Sequence, residues 1–101
     1  MTSSGNGHFF EVRSSQSVLH TLKQIQAEEI KNGQGKRFLE ALRALYDRLR
    51  RDPQGFGEPL YRLPALRLVI YTALVTPLAV HYAVHEERPL VFIKWLQSTS
   101  M

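Results

Sequence analysis

The sequence contains no cysteine, which excludes disulfide bridges and thiolate metal sites. It also has no apolar run near the ~20 residues that a membrane-spanning helix needs. Its first ten residues, MTSSGNGHFF, carry neither a basic segment nor a long apolar segment, so they do not resemble a secretory signal. These absences predict a soluble, cytoplasmic protein that has no membrane partner.

Motifs that would hold a cofactor are missing as well. The chain has no glycine-rich phosphate loop, no cluster with metal-ligand spacing and no Ser/His/Asp arrangement at a recognised spacing. His81 and His85 cannot chelate one metal together, because positions i and i+4 of a strand lie about 13 Å apart. The sequence therefore predicts no cofactor and no metal.

The second half of the chain is rich in β-branched, aromatic and leucine residues, interrupted by prolines and charged turns. This pattern is typical of an antiparallel meander of short strands. In residues 78–84, Leu78 and Tyr82 point to one face, and Ala79 and His81 point to the other. The predicted strands cover residues 60–63, 66–75, 78–84 and 90–96.

Two amphipathic helices are predicted before the meander, over residues 16–31 and 36–51, and Asp52-Pro53 ends the second. The apolar stripe of the first helix is interrupted, so we expect it to be less deeply buried than the second. The stripe of the first helix consists of Val18, Leu22, Ile25 and Glu29. The stripe of the second helix consists of Phe38, Leu42, Leu45 and Leu49.

Together these elements predict a single α+β domain over residues 9–97. A short N-terminal strand within residues 9–13 would pair at the edge of the later sheet, and an αα-hairpin would pack on this three- to four-stranded antiparallel sheet. Residues 1–8 are predicted to be a disordered tail, because they are rich in serine, glycine and asparagine. Residues 98–101 are predicted to form a C-terminal tail.

The positive charge is concentrated in one part of the chain. Residues 36–67 carry the whole net charge of +4, and the remaining residues are balanced. Such a patch attracts phosphate or an acidic protein, although it can also be an ordinary solvated helix face. The residues predicted to contact nucleic acid are Lys36, Arg37, Arg43, Arg48, Arg50, Arg51 and, on the last strand, Lys94.

The order of strand, helix, helix and meander resembles the RelE/ParE superfamily of toxins from bacterial toxin–antitoxin systems. The resemblance covers residues 9–96 and is carried by ALRALYDRLRRDPQGFGEPLYRL and PLAVHYAVHEERPLVFIKWL. It implies a cognate antitoxin as partner and one of two activities. RelE-like members cleave mRNA on the ribosome, whereas ParE-like members inhibit DNA gyrase.

The resemblance also implies where RNA chemistry would occur. Arg62 and Arg67, on the early strands, would bind the scissile phosphate on the face of the sheet that the helices do not cover, since a guanidinium can contact two phosphate oxygens. His81 would carry protons, because histidine titrates near neutral pH. Trp95 could stack on a base, but we expect it to pack against the helices.

The leading interpretation is a toxin homologue that inhibits translation by binding or cleaving mRNA. A non-catalytic RelE-fold module that binds an antitoxin-like partner, and a ParE-like gyrase inhibitor, remain open. The sequence does not determine the oligomeric state.

Overall fold

The computed structural model describes residues 9–99, which form five strands and three helices around one core. The predicted tail at residues 1–8 lies outside the described residues. None of the helices in this range is long and apolar enough to cross a membrane. In chain order the elements are β1 (Glu11–Ser14), α1 (Gln16–Lys31), α2 (Gly35–Arg51), α3 (Pro53–Phe56), β2 (Glu58–Leu63), β3 (Leu68–Val75), β4 (Leu78–His85) and β5 (Leu90–Ser98).

The sheet has the strand order β1-β5-β4-β3-β2, and β1 runs parallel to β5. The α+β class is therefore confirmed. The antiparallel meander has four strands, and β1 pairs at the edge of the sheet as predicted. The prediction of three to four antiparallel strands is wrong for the sheet as a whole, because β1 is a fifth strand and is parallel to β5. Strands β2 to β5 follow one another through short turns and are antiparallel. The direction of β1 is set by the helical hairpin that separates it from the meander, and local sequence patterns carry no signal for that direction.

Local signals explain where the helices begin and end. The hydroxyl of Ser15 accepts a hydrogen bond from the backbone N–H of Val18 at 3.1 Å, which caps the start of α1. Helix α2 begins at Gly35, one residue before its predicted start, and ends before Asp52 as expected. Asp52 then caps the single-turn helix α3, which the sequence analysis did not predict.

Both long helices lie on one face of the sheet. Their buried side chains form one cluster with Tyr82, Val84 and Val91 of the sheet. Helix α2 is the more deeply buried, as predicted, since Leu45 and Leu49 are fully covered. The last strand extends to Ser98, which the sequence analysis places in the tail, because Ser98 pairs with Leu78.

The opposite side of the sheet, called the open face below, has no helix of residues 9–99 packed on it. The register of β3 with β4 places alternate residues of both strands on this face. These residues are Leu68, Ile70, Thr72 and Leu74 of β3 and Ala79, His81, Ala83 and His85 of β4.

Truncating Leu45 tests the packing of α2 on the sheet. We expect Leu45→Ala to lower the free energy of unfolding by about 2–5 kcal/mol, as for other buried leucines. Leu39→Ala is the matched control, because Leu39 lies on the same helix and is 41% exposed. Denaturant melts of the two variants should differ clearly, and equal losses would contradict the assigned orientation of α2.

Candidate functional site

A β-bulge in β5 determines which side chains reach the open face. His81 pairs with Trp95, whereas the next residue, Tyr82, pairs with Ile93, so Lys94 is an extra residue in β5. The extra residue reverses the alternation of faces beyond it. Trp95 therefore lies on the open face beside His81, and Leu96 fills the helical side. The expectation that Trp95 packs against the helices is wrong for this reason.

His81 and Trp95 form a ring pair on the open face. Their ring centroids are 4.7 Å apart, with 39° between the ring planes. Trp95 is 40% exposed, and His81 is half-buried. A partly exposed indole held by a neighbouring ring can accept a further planar group by stacking.

A groove of about 410 Å³ lies at β1 and β5, and its lining includes Lys94, the residue before Trp95. Arg13 of β1, Phe92 of β5 and the bulge residue Lys94 line it. Arg13 donates to Glu11 at 2.8 Å, but both side chains are exposed, and such surface ion pairs are weak. Lys94 is exposed and makes no ion pair with any residue between 9 and 99.

A second bulge, at Leu60, changes the orientation of Arg62. Pro59 pairs with Tyr71 and Tyr61 pairs with Ile70, so Leu60 is extra in β2. Arg62 consequently pairs with Val69, whose side chain packs on the helical side. Its guanidinium contacts Glu86 at 2.8 Å, and this hydrogen-bonded partner raises the pKa of Arg62.

Arg67 is not part of a strand. It follows the 3₁₀ turn Pro64–Leu66 and has the left-handed conformation, with φ at 56°. Its guanidinium forms an ion pair with Glu87. Of the three side chains predicted to share an active site, Arg62, Arg67 and His81, only His81 belongs to the strand positions of the open face. The structure does not bring the three together.

His85 has a structural role in the turn between β4 and β5. Its Nδ1 accepts hydrogen bonds from the backbone N–H groups of Glu87 and Arg88, both at 3.1 Å. Because Nδ1 is an acceptor, the proton of the neutral ring is on Nε2. This arrangement holds the turn that carries the partners of Arg62 and Arg67.

The predicted basic residues are divided between two sides of the molecule. Lys94 lies by the open face, whereas the six on α2 belong to the helical layer. Two of the six have partners there. Arg48 lies over the ring of Phe56 at 5.0 Å, and Arg51 contacts Asp47 at 2.7 Å. The other four, Lys36, Arg37, Arg43 and Arg50, are exposed.

Tyr82 fastens α3 to the sheet from the helical side. Its hydroxyl donates to the carbonyl of Pro53 at 2.5 Å and accepts from the N–H of Gly57 at 2.9 Å. Burial raises the pKa of Tyr82 to about 12, so the phenol stays protonated near neutral pH and is a structural donor. Gly57 cannot be replaced without movement, since a Cβ there would lie 2.5 Å from the carbonyl oxygen of Thr72.

Sequence reasoning missed Arg13 and Phe92, and it placed Trp95 and Arg62 on the wrong faces. Within residues 9–99, no three His, Asp or Glu side chains gather to hold a metal ion.

Comparison with known proteins finds no family model, curated protein or solved structure that matches this chain.

Removing the Tyr82 hydroxyl tests whether its two hydrogen bonds hold α3 against the sheet. We expect Tyr82→Phe to destabilise the fold by about 1–3 kcal/mol near neutral pH, because the carbonyl of Pro53 and the N–H of Gly57 lose their partner. Since the folded-state pKa is raised above 10.0, the wild type should lose stability as the pH rises from there toward about 12.

The Phe variant lacks this ionisation, so the difference between the two proteins should shrink over that pH range. Denaturant melts at several pH values measure it. A difference that stays constant up to the highest pH would contradict the assigned role of the hydroxyl.

Proposed function

We propose that this protein is a RelE/ParE-like toxin homologue that inhibits translation by binding mRNA on its open face. The observation that carries the proposal is the ring pair of the half-buried His81 and the exposed Trp95, together with the groove lined by Arg13 and Lys94. Proteins that bind single-stranded nucleic acid commonly combine exposed aromatic rings with neighbouring cationic side chains.

Each part of this surface has a physical task. The indole of Trp95 offers a face on which an unpaired base can stack, and His81 supports it from the neighbouring strand. Arg13 and Lys94 would contact phosphates on either side of that base. A phosphate can displace the exposed carboxylate of Glu11 from Arg13 because the ion pair is open to water.

The geometry favours binding over cleavage. Cleavage by attack of the RNA 2′-hydroxyl needs cations around the reacting phosphate and a proton carrier within reach. Arg62 is on the helical side, and Arg67 lies in the turn before β3, so neither joins His81 on the open face. His81 therefore serves here as part of the stacking platform.

The order of elements supports the assignment to the superfamily. A first strand, a helical hairpin and a four-strand meander follow one another, and the first strand returns to the sheet beside the last. By the same resemblance, a cognate antitoxin would cover the toxin, and the toxin would bind mRNA on the ribosome.

A second candidate is a non-catalytic module that binds an antitoxin-like polypeptide through the same face. The observation in its favour is the apolar character of that face: Leu74 is 61% exposed and Tyr61 is 57% exposed. Exposed apolar side chains grouped on one surface commonly mark a protein-binding site.

Titrating labelled single-stranded RNA with the protein, followed by fluorescence anisotropy, separates these candidates. We expect binding at low salt that weakens as salt increases, because phosphate contacts release counterions. Trp95→Ala should weaken binding by about 1–3 kcal/mol, the usual loss for one stacked base. Lys94→Ala should reduce the salt dependence, whereas Lys31→Ala, a matched exposed lysine at the end of α1, should not.

The same variants should lose inhibition in a cell-free translation assay in the same order. If the wild type does not bind RNA at low salt, the proposal is wrong and the polypeptide-binding candidate takes its place. If the wild type cuts the mRNA, binding alone is not the mechanism.

A further inference from the structure

His81 has no polar partner within residues 9–99. No hydrogen bond or ion pair joins its imidazole to a residue in this range, and its ring contact is with Trp95. His85 on the same strand differs, because its Nδ1 accepts two backbone N–H groups of the turn. A proton can therefore be added to the ring of His81 without breaking a hydrogen bond to another described residue.

The ring of His81 is within reach of a ligand on the open face. Its side chain is half-buried, and the residues two positions away on the same side of the strand, Ala79 and Ala83, are small. On β3 it pairs with Thr72, whose side chain is also short. From β5 the indole of Trp95 lies against the imidazole. A nucleotide held at Trp95 would therefore come close to His81 as well.

The protein does not balance a positive charge on His81 with a carboxylate on an adjacent strand. Strands β1 and β2 are each separated from β4 by one strand, so their carboxylates lie about 10 Å away across the sheet. Of the two adjacent strands, β3 places no titratable group on the open face, and β5 contributes a lysine. The titratable groups that share the open face with His81 are Glu11 and Arg13 of β1, Glu58 and Tyr61 of β2, His85 of β4 and Lys94 of β5.

We propose that protonation of His81 adds a cation to the open face and so tightens RNA binding as the pH falls. This role of His81 rests on the proposed binding of RNA to the open face. Histidine side chains change charge between about pH 5 and pH 8, whereas Arg13 and Lys94 stay charged throughout that range. The cationic imidazole would keep its contact with the indole of Trp95, since aromatic faces attract cations.

The direction of the pH effect follows from linkage. A phosphate near His81 favours the imidazolium, so bound RNA increases the affinity of His81 for a proton. By reciprocity, a proton on His81 increases the affinity for RNA by the same factor. The additional affinity is therefore complete at the acidic end of the histidine range and is lost as the pH rises through it.

Titrations with labelled oligouridylate at several pH values test the proposal. Uracil and phosphodiester groups keep their charge between about pH 5.5 and pH 8, so a change in affinity over this range originates in the protein. With a label whose emission does not depend on pH, anisotropy should show binding about fivefold or more tighter at the acidic end. The slope of affinity against salt should also steepen there by about 0.7, the value for one added phosphate contact on a single strand.

Three variants assign the effect to one side chain. His81→Gln cannot gain the charge and should bind equally at both ends of the pH range. His81→Lys is always charged and should keep the steep salt dependence at every pH. His20→Gln, at an exposed position on α1, should retain the full pH response of the wild type. Circular dichroism at both pH values confirms that each variant is folded.

Calorimetry of the wild type provides a test that needs no variant. RNA binding near the middle of the histidine range, measured in two buffers with different heats of ionisation, should take up a fraction of one proton. Wild-type binding that is independent of pH, with no proton uptake, would overturn this role of His81 and leave the RNA site intact. A pH response that persists in His81→Gln would also overturn it and would point to His85. Absence of RNA binding at every pH would instead contradict the proposed function itself.

Discussion

The extra residue at Lys94 in β5 is the constraint on which both faces of the sheet depend. Strand β5 is hydrogen-bonded to β4 on one side and to β1 on the other, so its alternation affects the packing of three strands. Before the bulge, Ile93 faces the helices, and after it Leu96 does so again. The core stays filled while Lys94 and Trp95 become available at the open face, which is how bulges commonly redirect functional side chains.

The two sides of the sheet carry different tasks. On the helical side, Tyr82 stacks on Tyr71 at 5.3 Å and fixes α3 through two hydrogen bonds, so this side provides stability. On the open face, partly exposed rings and cations lie on strands that the core already holds in place. A rigid scaffold of this kind lets exposed side chains be arranged for binding without weakening the fold.

Periodicity predicted the two long helices within one residue of their observed bounds, because in α2, for example, the stripe of Phe38, Leu45 and Leu49 repeats over about three turns. It also predicted the strands and the two faces of β4. The site was harder to predict, since assigning a face requires counting residues along a regular strand. One inserted residue, at Leu60 or Lys94, moves each later side chain of its strand to the other face of the sheet. This is why Arg62 and Trp95 lie on the faces opposite to those expected.

Trp95 is the only tryptophan in the chain, so its fluorescence reports directly on the proposed stacking. The decisive measurement is a titration of the wild-type protein with single-stranded RNA, in which the intrinsic emission and the anisotropy of a label on the RNA are followed together. We expect the emission of Trp95 to be quenched with the same midpoint as the rise in anisotropy. Saturated anisotropy with unchanged Trp95 emission would show that RNA binds elsewhere and would contradict the assignment of the open face.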